Sequence, residues 1–143
     1  AWAQTAVDDY LARFPRDFTV IVKEVKAEAR TGGKPVAQVM AAEAERIERA
    51  VPAGDILVAM DEHGRDMTTV DFSKKISGWK NEGCGVTFII GGADGLDPAL
   101  KAKSRMMLRL SSMTLPHAFA RVLLTEQIYR AWSILANHPY HRV

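Results

Sequence analysis

The last residues of the chain combine side chains that suit proton transfer and phosphate contact. His138-Pro139-Tyr140-His141-Arg142 places an imidazole, a phenol and a guanidinium side by side. An imidazole changes charge near neutral pH, and a guanidinium pairs with phosphate oxygens. A polar chain terminus is also the segment most prone to fray. The local sequence leaves both interpretations open.

Three further segments combine small residues with free main-chain groups, each at the end of a predicted strand or directly after one. They are Gly91-Gly92-Ala93-Asp94-Gly95, Ser111 to His117, and Ala59-Met60-Asp61. Ligands of open α/β sheets lie beyond the carboxyl ends of the strands. The glycine spacing matches neither the dinucleotide fingerprint nor the phosphate loop. Together the three segments could hold an adenine and a thioether chain, or they are simply turns.

Charge is distributed unevenly along the chain. The net charge is +2, yet residues 101–143 carry seven Lys and Arg against one acid, Glu126. A basic face of this kind suits an anionic partner, with nucleic acid the first candidate. The alternative is that acids elsewhere in the fold balance these cations.

Other chemistries are disfavoured by the residue types. His138 and His141 have no thiol or carboxylate ligand beside them, so we expect no metal site. Cys84 lies between two glycines with no adjacent base, and a single cysteine excludes a disulfide within the chain. No apolar run approaches the length of a membrane span, and we expect no membrane partner. Without an apolar leader segment, a cytoplasmic location is expected.

The elements that would position these segments alternate between helix and strand, as expected for one α/β domain of 143 residues. The pattern predicts a mostly parallel sheet with helices on both faces. The final helix is apolar nearly all round, so a dimer interface is expected to cover it. Helices are predicted at 2–13, 36–50, around Phe72–Trp79, 97–108 and 116–136, and strands at 18–25, 55–61, 86–91 and, less clearly, 110–114.

Three motifs together resemble one family. VTFIIGGADGL, LSSMTLPH and RVLLTEQIYRAWSILANHPYHR, in this order and spacing, are similar to the RlmH family of SPOUT-class methyltransferases. The resemblance covers essentially the whole chain as a single SPOUT domain, 1–143. Family members open with a short strand that this sequence lacks, and the sequence does not begin with methionine. We expect those residues to be missing from the chain as given.

The resemblance implies a C-terminal trefoil knot, a rare exception to unknotted topology, and a homodimer. It implies methylation by S-adenosylmethionine at N3 of a pseudouridine in 23S rRNA of the assembled ribosome. His141 would be the base or orient it, Arg142 would meet a phosphate or the developing anion, and Tyr140 would position the nucleotide. The implied cofactor contacts are Met60, Gly92, Ser111, Ser112, Met113, Thr114, Leu115 and Pro116.

With an RNA substrate implied, several cations are predicted to contact phosphates: Arg30, Lys34, Lys101, Lys103, Arg105 and Arg109. Three alternatives stay open. They are a SPOUT methyltransferase acting on transfer RNA, a non-catalytic ribosome- or RNA-binding module, and an unrelated nucleotide-binding α/β domain.

Overall fold

A computed structural model gives the fold and describes residues 1–29, 31–92 and 94–141. Predicted contacts Arg30 and Arg142 therefore lie outside the described residues, as do Ala93 and Val143. A 3₁₀ turn at Thr31–Gly33 precedes the second helix. The elements are α1 (Trp2–Leu11), α2 (Val36–Ala50), β1 (Ile56–Arg65), α3 (Thr69–Asn81), β2 (Val86–Ile90), α4 (Pro98–Ala102), β3 (Met106–Leu108) and α5 (His117–Leu135).

The sheet has three parallel strands in the order β2-β1-β3. Because side chains alternate along a strand, β1 buries Val58 on one face and Ala59 on the other. On the Val58 face, the core is completed by Trp79 of α3 and Ala131 of α5. On the Ala59 face, it is completed by Ala44 of α2 and Leu100 of α4. The predicted α/β class, with a parallel sheet covered on both faces, is confirmed.

The predicted strand at 18–25 is wrong, because no strand of the described structure pairs with it. Its β-branched residues favour an extended backbone, but a strand also needs a neighbour for its hydrogen bonds. The segment instead lies beside α2, where Lys23 Nζ donates to Ala50 O at 3.4 Å and, just beyond the segment, Arg46 Nη1 donates to Lys26 O at 3.0 Å. Ile21 is consequently 72% exposed.

The predicted helix at 97–108 is also wrong beyond Ala102. Asp97 caps it as expected, accepting from Ala99 N at 3.1 Å, but Arg105 N donates to Leu57 O at 2.8 Å and starts β3. Pairing with the central strand therefore overrides the helical preference of this segment. The tentative strand at 110–114 is wrong as well, since the strand is Met106–Leu108 and the later residues form a loop.

Candidate functional site

The three strands reach a common level at one edge of the sheet. Met60 pairs with Ile90 of β2 and with Leu108 of β3. Gly92 follows Ile90 by two residues, and Ser111 follows Leu108 by three. β2 and β3 end at this level, whereas β1 continues beyond its predicted end at Asp61 to Arg65 after a bulge. Since the strands are parallel, Met60, the turn at residues 91–95 and the loop after β3 lie at the same edge, which is where ligands of α/β sheets lie.

A side-chain contact joins two of these turns directly. His117 Nδ1, at the start of α5, lies 2.9 Å from the carbonyl oxygen of Gly91. The glycine turn is closed by Gly95 N donating to Gly92 O at 3.0 Å. A Cβ at Gly91 would lie 2.5 Å from the Gly95 carbonyl carbon, so only glycine fits there.

The loop after β3 presents its residues outward. Ser111 Oγ accepts a hydrogen bond from Met113 N at 2.9 Å, which fixes a local turn. Ser112, Met113 and Thr114 are exposed, and Met113 is 77% exposed. Neutral hydroxyl, thioether and main-chain groups are therefore available at this edge.

Glu43 of α2 is a residue of this site that the sequence reasoning did not single out. Its Oε1 lies 3.3 Å from the position a Gly92 Cβ would occupy, and its Oε2 accepts from Glu28 N at 3.1 Å. The signal in the sequence was an acid within the apolar stripe of α2 formed by Val39, Met40 and Ile47.

The C-terminal segment is folded back against α5. Tyr140 donates its hydroxyl hydrogen to Glu126 Oε2 at 2.8 Å, and its oxygen lies 3.1 Å from the Tyr10 hydroxyl oxygen. Arg130 Nη2 donates to the same Glu126 oxygen at 2.7 Å, and its guanidinium lies 5.0 Å from the Tyr140 ring centroid. Burial, with the hydrogen bonds to Tyr10 and Glu126, raises the pKa of Tyr140, so this phenol is a neutral donor at physiological pH.

His141 lies at the opposite end of α5 from the glycine turn. Its Nδ1 is 3.3 Å from Oγ of the buried Ser133. Ser133 follows His117 by 16 residues, which corresponds to about 24 Å along a helix axis. The structure thus brings together the three segments around Met60, Gly92 and Ser111, but His141 lies far from these segments of its own chain.

Each predicted phosphate contact within the described residues holds a carboxylate of this chain. These ion pairs favour the alternative in which acids elsewhere in the fold balance the cations of residues 101–143. The pairs are Lys34–Glu28 at 3.4 Å, Lys101–Asp61 at 2.9 Å, Lys103–Glu48 at 2.8 Å, Arg105–Glu82 at 3.0 Å and Arg109–Asp66 at 2.6 Å.

The described residues contain no group of three or more His, Cys, Asp or Glu side chains arranged to hold a metal ion. Within the same ranges, no helix combines the length and apolar character needed to cross a bilayer.

Comparison with known proteins places this geometry in a family. A family model described as "Predicted SPOUT methyltransferase" matches residues 1–141. Three similar proteins are each named ribosomal RNA large subunit methyltransferase H. The Bordetella avium protein is 57% identical over 99% of this chain and 90% of its own length. The Ralstonia pickettii protein is 52% identical over 100% and 92%, and one from Burkholderia cenocepacia is 53% identical over 99% and 90%. The chain therefore belongs to the SPOUT methyltransferases and, among them, to the family of ribosomal RNA large subunit methyltransferase H.

Proposed function

We propose that the chain transfers a methyl group from S-adenosylmethionine to N3 of a pseudouridine in 23S rRNA of the assembled ribosome, acting as a homodimer. The observation that carries the proposal is the common edge at which β2 and β3 end and at which β1 bulges between Met60 and Arg65. There Met60 lies between Ile90 and Leu108, and His117 ties the last loop to Gly91. The trefoil knot implied by the family resemblance is part of this proposal.

The residues at this edge fit the chemistry of S-adenosylmethionine. When bound, the cofactor supplies an electrophilic methyl group on a sulfonium. Met60, Gly92 and the loop residues Ser111, Ser112, Met113, Thr114, Leu115 and Pro116 would hold it through main-chain, hydroxyl and apolar contacts. The Glu43 carboxylate beside Gly92 adds a negative charge that suits a cationic ligand.

The reaction requires a proton to leave the imide N3 and the nitrogen to be held in line with the methyl group. His141 would accept that proton or orient the group that does. Tyr140, kept neutral by burial and by its bonds to Tyr10 and Glu126, suits a positioning role as a hydrogen-bond donor. Arg142 would meet a phosphate or the developing anion.

A second copy of the chain would bring a tail to each set of turns, because one chain's own His141 lies beside Ser133, at the far end of α5 from its turns. Apolar side chains of α1 and α5 are available for the contact. Trp2 is 52% and Phe119 50% exposed, and their rings pack at 4.8 Å between centroids. Leu123 extends the same exposed side of α5.

The test is transfer of labelled methyl from S-adenosylmethionine to intact ribosomes, with isolated subunits and bulk transfer RNA as parallel substrates. We expect label in intact ribosomes, mapped to N3 of one pseudouridine. Label in transfer RNA instead would support the transfer-RNA alternative, and ribosome binding without label would support the non-catalytic one.

The base assignment is tested with His141→Ala at saturating cofactor. We expect turnover to fall roughly 100-fold, the size of a general-base contribution. His63→Ala is the matched control, since His63 is an exposed histidine of β1. Unchanged turnover in His141→Ala would remove His141 from the mechanism.

Mixed dimers distinguish a tail that serves the partner's turns from one that serves its own. A His141→Ala chain is combined with a Gly92→Leu chain, each expected to be at least about 100-fold less active than the wild type on its own. If the tail acts across the interface, the mixed dimer contains one complete site and regains activity. If the tail acts within its own chain, the mixture stays inactive.

A further inference from the structure

An open groove of about 550 Å³ runs along the outer side of α3. We call it the α3 groove. Its helical wall is one face of α3, since Asp71, Lys75, Gly78 and Glu82 recur at helical spacing. Its opposite rim begins with Arg65 at the end of β1.

The α3 groove carries free positive charge. Arg65, Lys74 and Lys75 line it and are exposed, and no carboxylate of the described residues lies within ion-pair distance of them. Two of its acids are already neutralised, Asp66 by Arg109 and Glu82 by Arg105. Asp71 is then the remaining acid in the groove beside three cations, so the net charge of the groove is positive. The surface around Lys103 differs, because its cations are ion-paired.

Gly78 lies on the helical wall of this groove without a conformational reason. It is inside α3, its φ is not positive, and a Cβ there would meet nothing within 4 Å. Glycine weakens a helix interior relative to alanine. It leaves this part of the helical wall open, so that another backbone can approach the helix closely.

The groove begins at the edge of the sheet that carries the proposed cofactor site. Arg65 and Met60 both pair with Leu108, because β1 bulges between them. Gly64 permits this close approach, since a Cβ there would lie 2.7 Å from the Leu108 main chain. A polyanion lying in the groove would therefore continue toward the turns that hold the methyl donor.

We propose that the α3 groove binds the sugar–phosphate backbone of the substrate RNA, with Arg65, Lys74 and Lys75 on phosphates and Gly78 allowing close approach. This rests on the proposed function and names a surface for its substrate. The contacts would position the RNA without reading its bases.

The test compares two double variants that remove the same charge. The groove variant, Lys74→Gln with Lys75→Gln, removes two cations from the α3 groove. The control, Lys23→Gln with Lys26→Gln, removes two exposed lysines from the segment beside α2. Binding to ribosomes is measured by co-sedimentation across a series of salt concentrations, and cofactor binding by calorimetry.

For the groove variant we expect roughly a tenfold loss of ribosome affinity, a salt slope shallower by about two, and unchanged cofactor binding. The control should keep the wild-type slope. Equal losses in both variants, or no loss in the groove variant, would overturn the proposal.

Gly78→Leu tests shape without changing charge. We expect weaker ribosome binding at an unchanged or higher melting temperature, and wild-type binding by this variant would count against the groove.

The two proposals can fail independently of each other. If the wild type transfers no methyl group but the groove variant still loses salt-dependent RNA binding, only the enzymatic proposal falls. If the wild type is active and the groove variant behaves like the control, only the groove falls.

Discussion

Glu126 is the residue on which the C-terminal segment depends. One of its oxygens accepts from Tyr140 and Arg130 and the other from Gln127. Charge-assisted hydrogen bonds of this kind are stronger than neutral ones. The helix pair Glu126–Arg130 was predictable from its spacing, but the 14-residue return to Tyr140 was not, because no local pattern encodes it.

Asp61, next to Met60, gives a prediction about pH. Burial opposes ionisation of Asp61, but the hydrogen bonds from Lys101 and from the His63 amide outweigh it and lower the pKa below 3.8. A carboxylate whose pKa is lower in the folded state adds stability above its unfolded pKa and loses it as the pH falls. We therefore expect Asp61→Asn to lower the free energy of unfolding at pH 7 by about 1–2 kcal/mol.

Urea unfolding at a series of pH values checks this expectation. The gap between wild type and Asp61→Asn should close as the pH falls below about 3.8, the ordinary value for the group. Asp66→Asn, at an exposed ion pair, is the control and should cost less. A gap that stays constant down to pH 2 would contradict the role given to Asp61.

Elements with strong local signals were predicted almost to the residue, and those decided by distant pairing were not. The helix predicted at 36–50 is Val36–Ala50, because its apolar stripe agrees with its burial. The segment 18–25 has the composition of a strand but no neighbour. Residues 106–108 have the composition of a helix but hydrogen-bond to β1. Local preference alone cannot settle either case.

Isoleucine substitutions test the corrected element boundaries. Ile21→Thr should change the free energy of unfolding by less than about 0.5 kcal/mol, since its side chain is largely in water. Ile89→Thr, at a buried position of β2, should cost roughly 2 kcal/mol or more. Urea unfolding of both variants decides this. Equal costs would mean that 18–25 is packed as a strand after all.

The whole chain exposes more surface than its mass requires. Its accessible area is 8785 Å², whereas a compact monomer of 15.8 kDa exposes roughly 7,300 Å². The segment 18–29 contributes to the excess, and so does the apolar side of α5.

The class of fold and the three turns were predictable from the chain alone. The distance from His141 to those turns was not, because it depends on the direction of a long helix.

Phe119→Asp tests the proposed homodimer. A charge at the exposed centre of the Trp2–Phe119 contact should oppose burial against a second copy. We expect sedimentation equilibrium to show a dimer for the wild type and a monomer for the variant, with methyl transfer lost in the monomer. Val36→Asp, an exposed apolar position on α2, should stay dimeric. A wild-type monomer that is fully active would contradict the proposal.

α5 fixes the distance between the glycine turn and His141 of the C-terminal segment. Its first residue touches Gly91, and its later turns hold Glu126 and Ser133, which fix the tail. Inserting one residue midway would rotate everything beyond by about 100° and advance it by about 1.5 Å. A change in the length of α5 would therefore misalign its two ends at once, whereas a substitution on its exposed side, such as Phe119→Asp, acts only at the proposed contact with a second copy.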